Sequence, residues 1–260
     1  MIKLIRMIGR GDDSVMTHDE FINHHGSAHL VLFEQCPGFV LRVQDYMQNF
    51  VVVDEAQLSP LKTLALLTDR DSLIEVWWDS VAELESSLQD SKYLELVRPD
   101  ETSFADVSGL RDVIASEHEI MRSPQSSGHI KLFTFIKRRA DSSPRQFREY
   151  WQENYVQRLQ EVAALSRYAR RYVQNHAVPL DHEPTTTMTD YDCVDEFWFD
   201  SLEDLGRLCA NEDWAAATSR GTRSARDASR TASVIAVEQP EAPQWLRRIK
   251  DSFRGLPKIN

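Results

Sequence analysis

The chain alternates between short apolar runs and longer stretches in which apolar residues recur every three or four positions. The short runs lie at residues 2–8, 42–53 and 73–78, and such runs are typical of β-strands. The longer stretches begin after Thr17 and again after Asp79, and their period is typical of helices with one buried face. With a closing strand, this order of elements predicts a ferredoxin-like βαββαβ unit.

The same order of elements occurs twice along the chain. Six segments of the first half recur in the second half in the same order, which indicates that one unit has been duplicated. The six pairs are IKLIRMIGR (2–10) with IKLFTFIKR (130–138), the helix-capping box at 17–20 with that at 143–146, Phe21 with Phe147, RVQDY (42–46) with YVQNH (172–176), EVWWDSVAEL (75–84) with EFWFDSLEDL (196–205), and VIASE (113–117) with VIAVE (234–238).

A duplicated unit of this kind predicts an α+β fold built from two sheets. Helices cover one face of a ferredoxin-like sheet, so the other faces of the two copies pack together and form one barrel within the chain. We expect a first unit at 1–122, a second unit at 123–239, and a basic amphipathic tail at 240–260. Docking of the tail on the acidic body of the protein or on a partner subunit is favoured, and binding to a membrane surface is the alternative. The stretches at 54–70 and 177–190 are predicted lids.

The composition narrows the classes of function. Asp and Glu total 41 against 30 Lys and Arg, and a net charge of −11 argues against nucleic-acid binding, which needs a basic face. No apolar run approaches the ~18 residues that would span a bilayer. The start, MIKLIRMIGRGDD, becomes charged too soon for a signal peptide, so a cytoplasmic protein is expected. Cys36, Cys193 and Cys209 lack CxxC spacing, which favours reduced thiols over a disulfide or a zinc site.

The second half resembles the EthD-type branch of the dimeric α+β barrel superfamily. The shared features are a helix followed by YVQNH and then by YDCVDEFWFDSLEDL, and the resemblance covers 1–120 and 129–239. The branch pattern places His-Trp and a later His on the helix, Asn-His after the second strand, and then Glu-x-Trp-Phe-Asp-Ser. The resemblance implies a small cofactor-free enzyme, such as a polyketide cyclase or dehydratase, a lactone isomerase, or a monooxygenase of aromatic substrates. Haem-binding relatives share the fold.

The two halves differ at the positions that the family pattern marks. The first half keeps the later helix histidine, and the second half keeps the strand histidine. In the first half, the His-Trp pair corresponds to His24-His25, the later histidine to His29, and the Asn-His pair to Asp45-Tyr46. In the second half, the same positions are Tyr150-Trp151, Tyr155 and Asn175-His176.

Two glutamates on predicted buried strands are candidates for acid-base chemistry. Glu75 and Glu196 alternate with Trp77 and Trp198, and burial raises the pKa of a carboxyl group that lacks a partner. Arg6 lies on the neighbouring strand and is expected to pair with Glu75. Its counterpart is Thr134, which leaves Glu196 without an evident cation. The alternative interpretation is a pair of hydrogen-bonded structural glutamates at the barrel seam.

The histidines divide into candidates for catalysis and candidates for packing. His29 is predicted to face the cleft between helix and sheet, and an imidazole with a pKa near ~6.5 transfers protons readily. His25 and His29 have the spacing of metal ligands, but Gly26 stands where zinc proteases carry a glutamate, and His25 matches the packing residue Trp151. No dedicated metal site is therefore expected. The alternative for His29 is a hydrogen-bonded, partly exposed helix residue. The alternative for His176 is a residue that caps the end of its strand.

These observations predict a cofactor-independent acid-base enzyme of the lyase, isomerase or cyclase type. Its substrate is expected to be a small, mostly apolar molecule of aromatic or polyketide-like type, and the chain is expected to be a pseudo-dimeric monomer or a homodimer. The catalytic candidates are His29, Tyr46, Glu75, Tyr155, His176 and Glu196. The candidate substrate contacts are Arg6, His24, His25, Trp77, Phe133, Phe135, Trp151 and Trp198. Two alternatives stay open: a haem protein with an axial histidine from His176 or His29, and a non-catalytic binding protein.

The first cleft is predicted to be the active one. It is expected to be lined by His29, Tyr46, Glu75 and Trp77. With RVQDY matched to YVQNH, the stretch from the helix to the second strand is four residues longer in the second half, about one helical turn. That difference would shift the second helix relative to its strand histidine.

Overall fold

The computed structural model describes residues 1–10, 16–61, 63–124, 128–180, 191–220 and 225–254. Eight strands form the sheet: β1 (Ile2–Ile8), β2 (Asp45–Val51), β3 (Ser72–Trp78), β4 (Arg111–Arg122), β5 (Ile130–Ile136), β6 (Ala169–Ala177), β7 (Cys193–Phe199) and β8 (Ala232–Glu238).

The helices of the first unit are α1 (His18–Asn23, continued by a π-helical turn His24–Ala28 and by His29–Leu32), α2 (Pro37–Val40), α3 (Glu55–Leu58), α4 (Val81–Leu88) and α5 (π-helical Tyr93–Val97, then Arg98–Phe104). Those of the second unit are α6 (Pro144–Tyr150, π-helical Trp151–Tyr155, then Val156–Gln160), α7 (Ala163–Tyr168), α8 (Leu202–Cys209) and α9 (Glu212–Ala215, then π-helical Ala216–Arg220). The tail forms α10 (Ala242–Arg254). Short 3-10 turns lie at Phe33–Gln35, Ser59–Leu61 and Ala228–Arg230.

The strands close into one antiparallel barrel in the order β1-β3-β2-β8-β5-β7-β6-β4. Each unit contributes four neighbouring strands, and the units join where β2 pairs with β8 and β4 pairs with β6. Both predicted capping boxes are present, with Thr17 and Ser143 accepting from the backbone N–H of Glu20 and Gln146. The predicted duplicated α+β barrel is confirmed.

Successive strand residues point alternately into the barrel and towards the helices. The interior is an apolar core to which each strand contributes, β6 through the partly buried Ala177, and the outward side chains of the strands pack against the helices. The interior core consists of Ile5, Met7, Val51, Leu73, Val113, Ala115, Phe133, Phe135, Val194, Val234 and Ala236. Both faces of each sheet are therefore buried.

Two lysines and two glutamates meet inside this apolar barrel. Lys3 Nζ lies 2.5 Å from Glu75 Oε1 and 2.5 Å from Glu196 Oε1. Lys131 pairs with Glu75 and lies 3.6 Å from Glu196 Oε2. All four side chains are at most 1% exposed. Each unit thus provides one cation and one carboxyl group, and each lysine contacts a glutamate of the other unit.

Polar partners complete the cluster with approximate two-fold symmetry. The amides of Asn49 and Asn175 donate to Glu75 Oε2 at 2.9 Å and to Glu196 Oε1 at 2.7 Å. At the rim, Lys3 pairs with Glu117 at 3.1 Å, and Lys131 pairs with Glu238 at 2.9 Å. The indole N–H groups of Trp77 and Trp198 donate to these two rim glutamates. Buried charge of this kind is tolerated because it is paired and hydrogen-bonded.

The predicted pairing of Arg6 with Glu75 is wrong, and so is the prediction that Glu196 has no cation. Arg6 lies opposite Ile74 on β3 and points towards the helices, whereas Glu75 points into the barrel. Arg6 instead binds Asp112 through two hydrogen bonds of 2.8 and 2.9 Å. The cation that reaches Glu196 is Lys3, three residues earlier on the same strand and on its inner face.

The predicted match of RVQDY (42–46) with YVQNH (172–176) is wrong by four residues. Asn49 lies opposite Leu73 and Asn175 opposite Val194, which are equivalent positions of β3 and β7. The structural counterpart of YVQNH is therefore YMQNF at 46–50, and the counterpart of His176 is a phenylalanine.

Hydrogen bonds to the helices confirm this register. Gln48 donates to the His25 carbonyl at 3.0 Å, and Gln174 donates to the Trp151 carbonyl at 3.1 Å. With these pairs aligned, the helix-to-strand stretch has the same length in both units, so the four-residue difference was a misalignment. His25 and Trp151 are equivalent, as predicted.

The C-terminal helix α10 docks on the first unit. Ala242, Leu246 and Ile249 are buried in the core beneath α1 and α2, and Trp245 and Phe253 pack against it. The docking predicted for the tail on the body of the protein is thus observed. Of the predicted lids, the segment 54–70 carries α3 and packs through Leu58 and Leu61, whereas residues 181–190 of the second lie outside the described residues.

Two predictions from composition also meet structural evidence. Among the described residues, no helix has the length and apolarity needed to cross a bilayer. Cys36, Cys193 and Cys209 are buried free thiols, as their spacing indicated.

Replacing Lys131 with Met should strongly destabilise the barrel. The change leaves Glu75 and Glu196 with one cation between them, and breaking a buried ion pair typically costs about 3–5 kcal/mol of unfolding free energy. Urea denaturation followed by circular dichroism measures the loss. Arg145→Met is the control, because Arg145 pairs with Glu149 on an exposed helix surface and its removal should change little. Similar losses in the two variants would contradict the role assigned to the cluster.

Candidate active site

A cavity lies between the outer face of the first sheet and helices α1, α2, α5 and α10. Its walls are mostly apolar and rich in aromatic rings, with a few polar groups. The lining residues are Leu4, Arg6, Ile8, His25, His29, Phe33, Phe39, Val40, Val43, Tyr46, Ile74, Val76, Trp78, Leu88, Tyr93, Glu101, Phe104, Ala105, Val107, Leu110, Trp245 and Leu246. An enclosed apolar cavity with few polar groups is typical of a small-molecule site.

His29 is held in this cavity by a carboxylate. Its Nδ1 lies 2.7 Å from Asp100 Oδ2, and His24 Nε2 lies 3.1 Å from both oxygens of the same carboxylate. His29 follows the π-helical turn of α1, and Asp100 lies in the first turn of the α-helical part of α5. Because the hydrogen bond to Asp100 engages Nδ1, Nε2 is the nitrogen available to a molecule in the cavity.

The surroundings of His29 favour a neutral imidazole. Burial lowers its pKa below the ordinary value of 6.5, and the hydrogen bond to Asp100 opposes part of this shift. In the neutral ring, a carboxylate partner at Nδ1 holds the proton there and leaves the lone pair on Nε2. The pair therefore has the arrangement of a general base with an orienting carboxylate.

His25 has a structural environment. Its Nδ1 lies 3.1 Å from the Ser72 hydroxyl, and its ring packs against Phe21 and Phe104 at centroid distances of 5.6 and 5.7 Å. Burial lowers its pKa well below the ordinary value, with a smaller contribution from His29. No group of three or more potential metal ligands occurs among the described residues, so the structure assembles no metal site there.

Tyr46 is the phenol that the sequence placed in this cleft. It is 7% exposed, and burial raises its pKa, so the group stays protonated. A buried neutral phenol can donate a hydrogen bond to an oxygen that becomes negative during a reaction. Its ring centroid lies 5.4 Å from that of Trp245 on α10.

The charged groups of the lining are already paired. Arg6 is engaged by Asp112, as described above. Glu101 accepts from the Tyr93 hydroxyl at 2.9 Å and from Arg98 at 2.9 Å. The cavity therefore offers a neutral base and neutral donors, and no unpaired charge from its described lining.

Several predicted site residues do not reach the cavity. The prediction that Glu75 and Trp77 line the first cleft is wrong, because both point into the barrel, on the opposite face of β3 from Ile74 and Val76. The substrate contacts predicted at Phe133, Phe135 and Trp198 likewise lie inside the barrel. Arg6, His25, His29 and Tyr46 line the cavity, whereas His24 is not among its lining residues and contacts Asp100, the carboxylate that also holds His29.

The second unit has a different cavity. Its free volume, about 320 Å³, is larger than that of the first cavity, and its lining includes Tyr155 and Thr134 but, among the described residues, no histidine. Trp151 packs against Tyr155 at 4.1 Å and donates to Asp195 at 3.1 Å. His176 is buried, with Nε2 3.2 Å from Gln174 Oε1. The structure does not bring the catalytic candidates of the second unit together, since Glu196 lies inside the barrel and Tyr155 and His176 do not.

Sequence reasoning missed Asp100, Tyr93, Glu101 and Trp245. Asp100 follows His29 by 71 positions and lies on another helix, so no local spacing joins them. The acidic pair Asp100-Glu101 after Pro99 indicates a helix start. That signal predicts an element boundary and gives no indication of a partner for a histidine.

The stability of the protein should fall between pH 6.5 and 4.5, and His176 should contribute to the fall. Burial lowers the pKa of folded His176 to about 3, whereas the unfolded residue titrates near 6.5. In that window the unfolded state binds a proton that the native state does not, which costs up to about 1.4 kcal/mol of unfolding free energy per pH unit. His176→Phe, which copies Phe50 of the first unit, should flatten the slope measured by urea denaturation. An unchanged slope would contradict the assignment.

Comparisons with known proteins agree with this architecture. The EthD domain model matches residues 14–108 and 139–223, once in each unit. An anthrone oxidase-like protein of known structure has a TM-score of 0.55, with 10% identity over 92% of this chain and 91% of its own. A mutant chlorite dismutase from Candidatus Nitrospira defluvii has a TM-score of 0.50, with 12% identity over 96% of this chain and 95% of its own. A search of curated proteins finds no match. The chain is a tandem member of the EthD domain family.

Proposed function

We propose that the cavity of the first unit is the active site of a cofactor-independent enzyme that removes a proton from a small, largely apolar molecule. The observation that carries the proposal is the 2.7 Å contact between His29 Nδ1 and Asp100 Oδ2 at the wall of this cavity. A carboxylate so placed orients the imidazole and stabilises the imidazolium that forms when Nε2 accepts a proton.

The proposed reaction begins when Nε2 of His29 takes a proton from a C–H or O–H group of the substrate. The electron pair of the broken bond moves onto the substrate, and the phenol of Tyr46 stabilises the negative oxygen by donating a hydrogen bond. The imidazolium then returns the proton to another atom. Return to a second carbon completes an isomerisation, and transfer to a departing hydroxyl group completes a dehydration with loss of water.

Family and fold support an enzymatic role in general terms. EthD membership and the likeness to an anthrone oxidase-like protein suit a small-molecule enzyme, and the aromatic walls suit a flat substrate. The structure of the substrate determines whether proton removal leads to elimination, isomerisation or cyclisation.

A haem alternative is suggested by the chlorite dismutase likeness, but the described residues do not fit that group. Haem carries two propionate carboxylates, and the described lining of the cavity that contains His29 offers them no unpaired cation, because Arg6 is held by Asp112. The larger cavity of the second unit has no histidine in the part of its lining that the structure describes. No step is therefore assigned to haem.

Changing either member of the His29–Asp100 pair should abolish most of the activity. A panel of cyclic ketones, phenols and lactones is incubated with the protein in D₂O, and deuterium uptake is followed by mass spectrometry. For a substrate found in this way, His29→Asn and Asp100→Asn should lower the exchange rate by ~10²–10⁴-fold, as expected for loss of a positioned general base. The wild-type rate should decline at low pH, at a pH below the ordinary histidine value, since burial lowers the pKa of His29.

His176→Phe is the matched control, because it alters a buried histidine of the second unit. It should retain the exchange rate at a temperature well below its melting point. A well-folded His29→Asn variant with full activity would contradict the proposal, and binding without exchange in the wild type would favour a non-catalytic binding protein.

A further inference from the structure

The indole N–H of Trp245 is buried and has no hydrogen-bond acceptor among the described residues. Four other indole N–H groups of the chain have acceptors. They donate to Glu117 from Trp77, to Ser87 from Trp78, to Asp195 from Trp151 and to Glu238 from Trp198. A buried donor without a partner is costly, and such groups often belong to sites that a ligand completes.

Trp245 lies where a ligand would meet it. It lines the cavity of the first unit, with its ring centroid 5.4 Å from that of Tyr46 and 6.0 Å from that of Phe33. It belongs to α10, which follows the second unit in the chain but packs on the first. The tail thus supplies one wall of a cavity that the duplicated unit alone leaves incomplete.

The charges around the cavity indicate what kind of acceptor fits. The Arg6 guanidinium makes two hydrogen bonds to Asp112, and Glu101 is paired with Arg98. An anionic ligand would therefore find no unpaired cation among the described lining residues, and it would lose its hydration on entering an apolar space. A neutral oxygen, such as a carbonyl, accepts a hydrogen bond at much lower cost.

We propose that Trp245 is a ligand-binding residue of this site, and that its Nε1 donates a hydrogen bond to a neutral acceptor oxygen of an otherwise apolar ligand. The C-terminal helix thereby selects for ligands that carry such an oxygen. The proposal concerns the site described under the proposed function, but the hydrogen bond forms whether or not His29 transfers a proton.

In the reaction proposed above, this donor also has a chemical consequence. When His29 removes a proton next to a carbonyl group, negative charge develops on the carbonyl oxygen. A fixed N–H group directed at that oxygen stabilises the transition state more than it stabilises the complex with the neutral ligand. Trp245 gives up no proton and acts by holding and polarising the acceptor.

The experiment compares two probes of nearly equal shape, 1-tetralone with a carbonyl group and tetralin without one. The full chain is labelled with ¹⁵N in its six tryptophans, and the indole signal of Trp245 is assigned from its loss in Trp245→Phe. Saturating 1-tetralone should move the Trp245 indole proton downfield, and tetralin should not. Trp245→Phe should weaken 1-tetralone binding about 3–10-fold, the range expected for one hydrogen bond, and leave tetralin binding unchanged.

Trp214→Phe is the matched control, because it makes the same change in the lining of the second unit's cavity. It should preserve the preference for 1-tetralone. The proposal is overturned if neither probe binds, if the two probes bind equally, or if Trp245→Phe keeps the wild-type preference. Deuterium exchange without an indole shift would agree with His29 as the general base and would overturn the role proposed for Trp245. An indole shift without deuterium exchange would support the hydrogen bond from Trp245 and contradict the general base proposed at His29.

Discussion

The removal of four ionisable side chains, two lysines and two glutamates, from water at the centre of the barrel is the constraint on which the rest of the fold depends. Although burial alone would raise the pKa of Glu75, Lys131 and Lys3 hold it below its ordinary value, and burial together with the charge of Glu75 raises that of Glu196. Each lysine needs glutamates of both units, so the charges are satisfied when the two sheets face each other in one register. Apolar packing alone would tolerate more than one such register.

The barrel wall separates this ionic centre from the chemistry of the first unit. Lys3 and Arg6 lie three residues apart on β1, yet the first points inward to a structural cluster and the second outward to the cavity. The same alternation keeps Glu75 with the core and exposes Ile74 to the cavity. Polar groups of similar type thus have different roles according to the face of the strand on which they lie.

The sequence was sufficient for the duplication, the element order and the barrel, because repeats and periodicity report them directly. It is insufficient for the inward and outward faces, because both are apolar, and the predicted side of the sheet is therefore wrong for Glu75 and Trp77. A shift of four residues along β2 preserves the alternation of inward and outward side chains. The pattern of apolar residues therefore does not reveal that the match of RVQDY with YVQNH is wrong. The Asp100 partner of His29 depends on how two helices meet, and no local pattern encodes that contact.

Closing the barrel within one chain has a consequence for its divergence. In a barrel assembled from two separate subunits, the pairing of the sheets depends on protein concentration, and both subunits carry the same residues. The peptide connection between β4 and β5 makes the association intramolecular, so its strength is set by an effective concentration. One copy can then keep a His29-Asp100 pair while its counterpart keeps Tyr155 and a roomier cavity. The two copies can therefore differ in sequence and remain assembled, because a single gene encodes both.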